Sequence, residues 1–127
     1  MSHYLDYSLT LSSRLLSLVD TSSTSPTFGC FDKNYWHFKT SDFPNSAKQQ
    51  GILALAKLYQ LEDKSNHLYK SSYILKIIAG GIDYCLKIQK KDGSFDEWYY
   101  NERGWAGPTA YIIHSLCDVY FLLKADL

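Results

Sequence analysis

Two stretches of this chain hold side chains suited to gripping a sugar or moving a proton. The first carries Tyr35, Trp36 and His37, and the second Trp98, Tyr99, Asn101, Glu102 and Arg103. Tyr and Trp offer an apolar face with a polar edge, which suits the C–H face of a pyranose ring. An Arg guanidinium can clamp a uronate carboxylate with two parallel hydrogen bonds. Histidine is the residue type most used as a general base near neutral pH. Each side chain also has a plainer use. The aromatics can pack loop against loop, His37 can make an ordinary hydrogen bond, and Arg103 can pair with a loop carboxylate. Asp32, Asp96, Glu97 and Glu102 invite a glycosidase reading, one acid and one base across a bond. Against it stands turn and cap duty, because an Asp follows a Gly-x-aromatic turn in both stretches.

Other chemistries are poorly provided for. The four histidines, three cysteines and the acids show no metal-ligand spacing. There is no phosphate-cradling glycine loop and no serine nucleophile elbow, so neither a metal nor a cofactor is expected. Cys30, Cys85 and Cys117 cannot all pair within one chain, and none forms a CxxC. Cys85 and Cys117 fall inside apolar helical patterns, where a thiol serves as a small core residue. Free thiols favour a reducing, cytoplasmic setting, or a periplasmic one if a signal has been removed. Lys plus Arg equals Asp plus Glu at 13 each, which argues against a nucleic-acid partner or an anionic membrane. The longest apolar stretch, from Tyr73 to Ile88, is interrupted by Lys76, Asp83 and Lys87, so no membrane span is expected. No basic start followed by an apolar block marks a signal peptide.

The elements that must position these stretches are helices. Apolar periodicity predicts a first helix from about Tyr4 to Val19, followed by a polar loop over Asp20 to Pro26. A second runs from near Phe43-Pro44 to Leu61, with Asp42 or Asn45 as its cap and Ala47, Ile52, Leu55, Ala56 and Tyr59 as its buried stripe. A third follows Ser65-Asn66 and reaches about Lys90, with Tyr73, Ile74, Ile77, Ile78, Ile82, Cys85 and Ile88 inward. Gly80-Gly81 in its middle marks either close packing of a neighbouring helix or a kink. A fourth spans Gly107-Pro108 to Lys124, with Ile112, Ile113, Leu116, Cys117, Tyr120 and Leu123 on its apolar face. Strand signals are weak.

The chain also repeats itself. Gly29-Cys30-Phe31-Asp32 matches Gly93-Ser94-Phe95-Asp96, and each is followed by an aromatic pair, a polar stretch, a proline and an apolar helix. The copies, about 28–61 and 92–124, signal stacked helical hairpins. The expected fold is therefore one all-α domain over 1–127, two hairpins with their aromatic loops at one end. The fourth helix carries Val119, Tyr120, Phe121, Leu122 and Leu123 in succession, more apolar surface than one neighbour can cover. A homodimer through this C-terminal helix is the expected cover.

Between Gly81 and Phe95 the chain resembles the Gln/aromatic repeat of α/α-toroid proteins such as terpene cyclases: a helix ends in Gln89, Gly93 turns, and Phe95 folds back. Over Phe28 to Pro44 and Asp92 to Arg103 it resembles the N-terminal part of heparinase II/III-like proteins of bacterial polysaccharide genes. That resemblance implies an incomplete α/α toroid and cleavage of acidic polysaccharide by β-elimination, with catalytic groups drawn from later helices and a β-rich domain. Those parts have no counterpart in these 127 residues, so recognition of an oligo- or polysaccharide is expected rather than catalysis by this chain alone. The alternatives are a non-catalytic helical scaffold, and a terpene-cyclase-like fragment, for which no DDxxD or DxDD is present.

Overall fold

The computed structural model describes residues 2–97 and 104–127. These residues form α1 (Ser2–Leu16), a short α2 (Lys33–Trp36), a 3-10 turn (Ser46–Gln50) running into α3 (Gly51–Gln60), α4 (Ser72–Ile88) and α5 (Ala106–Leu123). No strand occurs among them, so the protein is all-helical as expected.

Local chemistry decides where each helix starts and stops. The first ends three residues before Val19, because Val19 and Asp20 turn inward and are buried. The Asn45 side chain accepts the Ala47 N–H at 2.9 Å and caps the 3-10 turn, so of the two expected caps it is Asn45 that serves. At the far end of α3 the Asn66 amide donates to the Leu58 and Leu61 carbonyls, both at 2.7 Å. It thereby satisfies acceptors that the helix end leaves open. This use of Asn66 delays the next helix to Ser72, where the Ser71 hydroxyl accepts the Ile74 N–H. Pro108 sits in the first turn of α5, where a missing N–H costs nothing.

Helix α3 is central; α4, α5 and, more lightly, α1 pack against it. Its Ile52, Leu55, Ala56 and Tyr59 meet Ile74, Ile77 and Ile78 of α4 and Ile112, Val119 and Leu123 of α5 in one buried cluster. Burying an Ile or Leu side chain contributes roughly 1.5–3 kcal/mol, so these few residues carry much of the fold. Helices α3 and α5 run parallel. Ser46, just before α3, donates its N–H to the Asp96 carbonyl ahead of α5 at 3.0 Å. At the other end the Gln60 amide donates to the Leu122 carbonyl and to the Asp126 carboxylate.

Several residues expected inside face outward. Tyr73, Ile113, Cys117 and Tyr120 are exposed. Helix α5 is apolar on nearly every side, so periodicity could not distinguish the face turned to α3 from the one left open. Helix α4 runs through Gly80-Gly81 without a break in its span. Both a loop and the neighbouring helix α3 pack closely there, Ile52 Cγ1 lying 2.8 Å from where a Cβ on Gly81 would be. A Cβ on Gly29 would lie 2.2 Å from the Gly80 carbonyl carbon, and a Cβ on Gly80 would meet the Phe28 ring at the same distance.

Candidate functional site

The two Gly-x-Phe-Asp turns are built alike and lie side by side. Gly29 and Gly93 have φ of +84° and +86°, the left-handed region that glycine enters without steric cost. The Cys30 and Ser94 carbonyls each accept a backbone N–H from the chain end leading into the turn, from Asp20 and Lys90, both at 2.9 Å. Phe31 and Phe95 are buried alike. Their N–H groups donate forward, Phe31 to Gln49 Oε1 at 3.1 Å and Phe95 to Thr109 Oγ1 at 3.0 Å. The expected staple is also present: Gln89 Nε2 donates to the Gly93 carbonyl at 3.0 Å.

The paired aspartates serve these turns. Asp32 is buried, with one carboxylate oxygen accepting the Asn45 N–H at 2.8 Å and the other the Lys48 ammonium at 2.7 Å. Asp96 accepts from Gly104 N–H at 2.9 Å and from Lys90 at 3.1 Å. Each carboxylate thus ties its turn to the chain that enters the next helix. That is turn duty, not the pair of opposed carboxylates a glycosidase needs.

Of the sequence candidates, Tyr35, Trp36 and His37 lie on or just after the short α2. The Trp36 indole N–H donates to the Leu18 carbonyl at 2.9 Å, which holds its ring against the end of α1. His37 stands edge-on between the Trp36 and Phe38 rings, with centroids 5.1 and 4.9 Å away, and it and Phe38 are exposed. Trp98, Tyr99, Asn101, Glu102 and Arg103 lie outside the described residues.

Beside α2 opens a cleft of about 280 Å3 lined by Asp32, Asn34, Thr40, Ser41, Asp42, Phe43, Asn45 and Lys48. Amides, hydroxyls, two carboxylates, one ammonium paired with the first of them, and one aromatic ring make a mixed lining. Of this lining the sequence singles out Asp32 as a candidate acid and Asp42 and Asn45 as candidate caps, and nothing in it gathers Asn34, Thr40, Ser41 and Lys48 beside them. The turn that brings Thr40 back onto the Asn34 carbonyl, at 2.9 Å, is built on a left-handed Lys39, which no motif announces. A larger, mostly apolar groove of about 690 Å3 lies elsewhere, between α1 and α3.

The thiols divide by burial. Cys30 and Cys85 are buried, which pushes Cys30 above the usual thiol range and Cys85 up to about 12, whereas Cys117 is exposed. A disulfide reagent at neutral pH is expected to modify Cys117 alone in the folded protein, and all three thiols after denaturation. Rapid native reaction of all three would show that the core between α4 and the first turn opens readily.

Among the described residues no group of three His, Cys, Asp or Glu side chains is placed to hold a metal ion, and no helix is long and apolar enough to cross a membrane. Comparison with protein-family models, curated proteins and solved structures gives no match for this chain.

Proposed function

We propose that this chain recognises an acidic oligo- or polysaccharide at its loop end, as a two-hairpin segment of an incomplete α/α toroid of the heparinase II/III-like kind. The supporting observation is the mixed cleft beside α2. Sugar recognition calls for planar amides and hydroxyls that meet ring hydroxyls, with an apolar face alongside. Asn34, Asn45, Thr40, Ser41 and Phe43 supply that mixture within one cleft. Lys48 in this cleft is paired with Asp32, and Asp42 adds a second carboxylate, so the preference for an acidic sugar rests on the family resemblance and not on the charge of the lining. The duplicated turns, joined through Ser46 and Asp96, support the repeat architecture. The reading assigns binding to this chain and no bond cleavage, because Asp32 and Asp96 are committed to their turns.

Calorimetric titration with an oligo-uronate tests it. Wild type is expected to bind, and Asn34→Ala to bind about tenfold more weakly, since one hydrogen bond to a charged or strongly polar partner is worth roughly 1.5 kcal/mol. Trp98→Ala, in the second aromatic stretch, is expected to weaken binding as well. No heat at saturating sugar, with both variants equal to wild type, would leave the second reading: a helical scaffold. That reading is favoured by the indole N–H of Trp36, which is satisfied within the fold.

A further inference from the structure

We infer that a second copy of this chain docks head to tail, with the outward face of α5 of one copy in the α1/α3 groove of the next. The two surfaces match in character. The α5 face carries Ile113, Tyr120 and Phe121, the last two 59 % and 69 % exposed. The groove is lined by Leu5, Leu11 and Leu15 of α1 and by Ala54, Leu58 and Leu61 along α3. An exposed apolar ridge and an apolar groove on one molecule are complementary in shape and character, as the two sides of an interface are.

The two surfaces lie on opposite flanks. At 100° per residue, Ala54, Leu58 and Leu61 fall on about the opposite side of α3 from Tyr59 and Gln60, which reach the end of α5 through Asp126. Ridge and groove therefore cannot meet within one molecule, and joining them relates copies head to tail rather than by a two-fold axis.

Charge sets the direction. Asp118 and Lys124 flank the α5 ridge, six residues or about 9 Å apart along a helix. Lys57, Glu62 and Asp63 line the groove with the opposite order of signs along the chain. Parallel docking puts Asp118 near Lys57 and Lys124 near Glu62 and Asp63. Antiparallel docking sets like against like. Within the molecule α3 and α5 already run parallel, so the parallel contact continues the packing that the chain uses internally. The contact expected from sequence, a symmetric one through α5 alone, would bring ridge to ridge and leave the groove empty.

Sedimentation across the micromolar range tests this with two variants at exposed positions, Phe121→Glu on the ridge and Ala54→Arg in the groove. Circular dichroism checks that both keep their helices. Wild type is expected to grow beyond two chains as concentration rises, because an asymmetric contact does not close at a pair. Each variant alone is expected to associate at least about tenfold more weakly, the loss typical of a charge placed in an apolar contact. An equal mixture is expected to form a one-to-one pair and stop there, since it retains one good ridge and one good groove. A wild-type monomer at every concentration would overturn the inference. So would an Ala54→Arg variant that associates like wild type while the mixture forms no mixed pair, the signature of a symmetric α5 contact.

Discussion

Gly29→Ala is expected to remove a large part of the protein's stability, and Gly93→Ala much less, although both glycines have nearly the same backbone conformation. An alanine in the left-handed region costs about 1–2 kcal/mol at either site. At Gly93 the cost stops there, because the nearest atom to an added Cβ is Gln89 Nε2 at 3.9 Å. At Gly29 the methyl would lie 2.2 Å from the Gly80 carbonyl carbon and 2.4 Å from the Gly81 nitrogen. Those are backbone atoms inside a helix and cannot swing away. The loop must lift off α4, straining the bond from Gly29 N–H to the Asp20 carbonyl and that from Lys87 to the Pro26 carbonyl. A loss of roughly 3–5 kcal/mol is expected, against the 5–15 kcal/mol that holds an ordinary domain together. Urea midpoints for the two variants decide it. Equal losses would mean that the loop does not rest on α4 as described.

The second large effect concerns the paired phenylalanines. Phe31→Ala and Phe95→Ala are each expected to cost roughly 3–5 kcal/mol, the range for a large aromatic removed from a packed interior. Both rings are 1 % exposed, and the Phe31 ring fills the space in which a Cβ on Gly51 would lie, 2.7 Å away. Phe38→Ala is the control: that ring is mostly exposed, and the change should stay within about 0.5 kcal/mol. Thermal or denaturant unfolding measures all three. If Phe95→Ala cost no more than Phe38→Ala, the second turn would be a decoration and the two turns would not be equivalent cornerstones.

The features legible in the sequence are those governed by nearest neighbours along the chain. Helical stripes of α3 and α4 follow from Ile52, Leu55 and Tyr59, and from Ile74, Ile77, Ile78 and Cys85. The turn at Gly93 follows from Gln89 and Phe95, a few residues either side. The rest depends on partners far along the chain. Lys48 is sixteen residues from Asp32, and its pairing gives a structural partner to an acid that sequence alone leaves open between catalysis and structure. Asn66 reads as part of a helix start, yet it closes the preceding helix. The short α2 and the 3-10 entry to α3 leave no periodic trace because each is about one turn long. In α5 the signal fails by excess. Cys117 and Tyr120 sit among so many apolar neighbours that composition does not say which side the protein covers.

In each turn the phenylalanine and the aspartate take most of their bonds from residues later in the chain, and the backbone around the glycine takes its bonds from residues just before it. Phe31 and Asp32 are completed by Gln49, Asn45 and Lys48, and Phe95 and Asp96 by Thr109 and Gly104, while Lys90 reaches Asp96 from before. The indivisible module is therefore a turn together with the residues that lead into it and the helix after it, not the helix pair that the eye picks out. Gene duplication that cut the chain between Asp32 and Asn45 would hand each daughter a corner without its keystone. A cut ahead of Asp20 or ahead of Gln89 keeps the forward and the backward bonds inside one piece. The seams along which such a protein can be lengthened, shortened or recombined thus lie beyond the ends of α1 and α4, ahead of Asp20 and Gln89, rather than at the glycines.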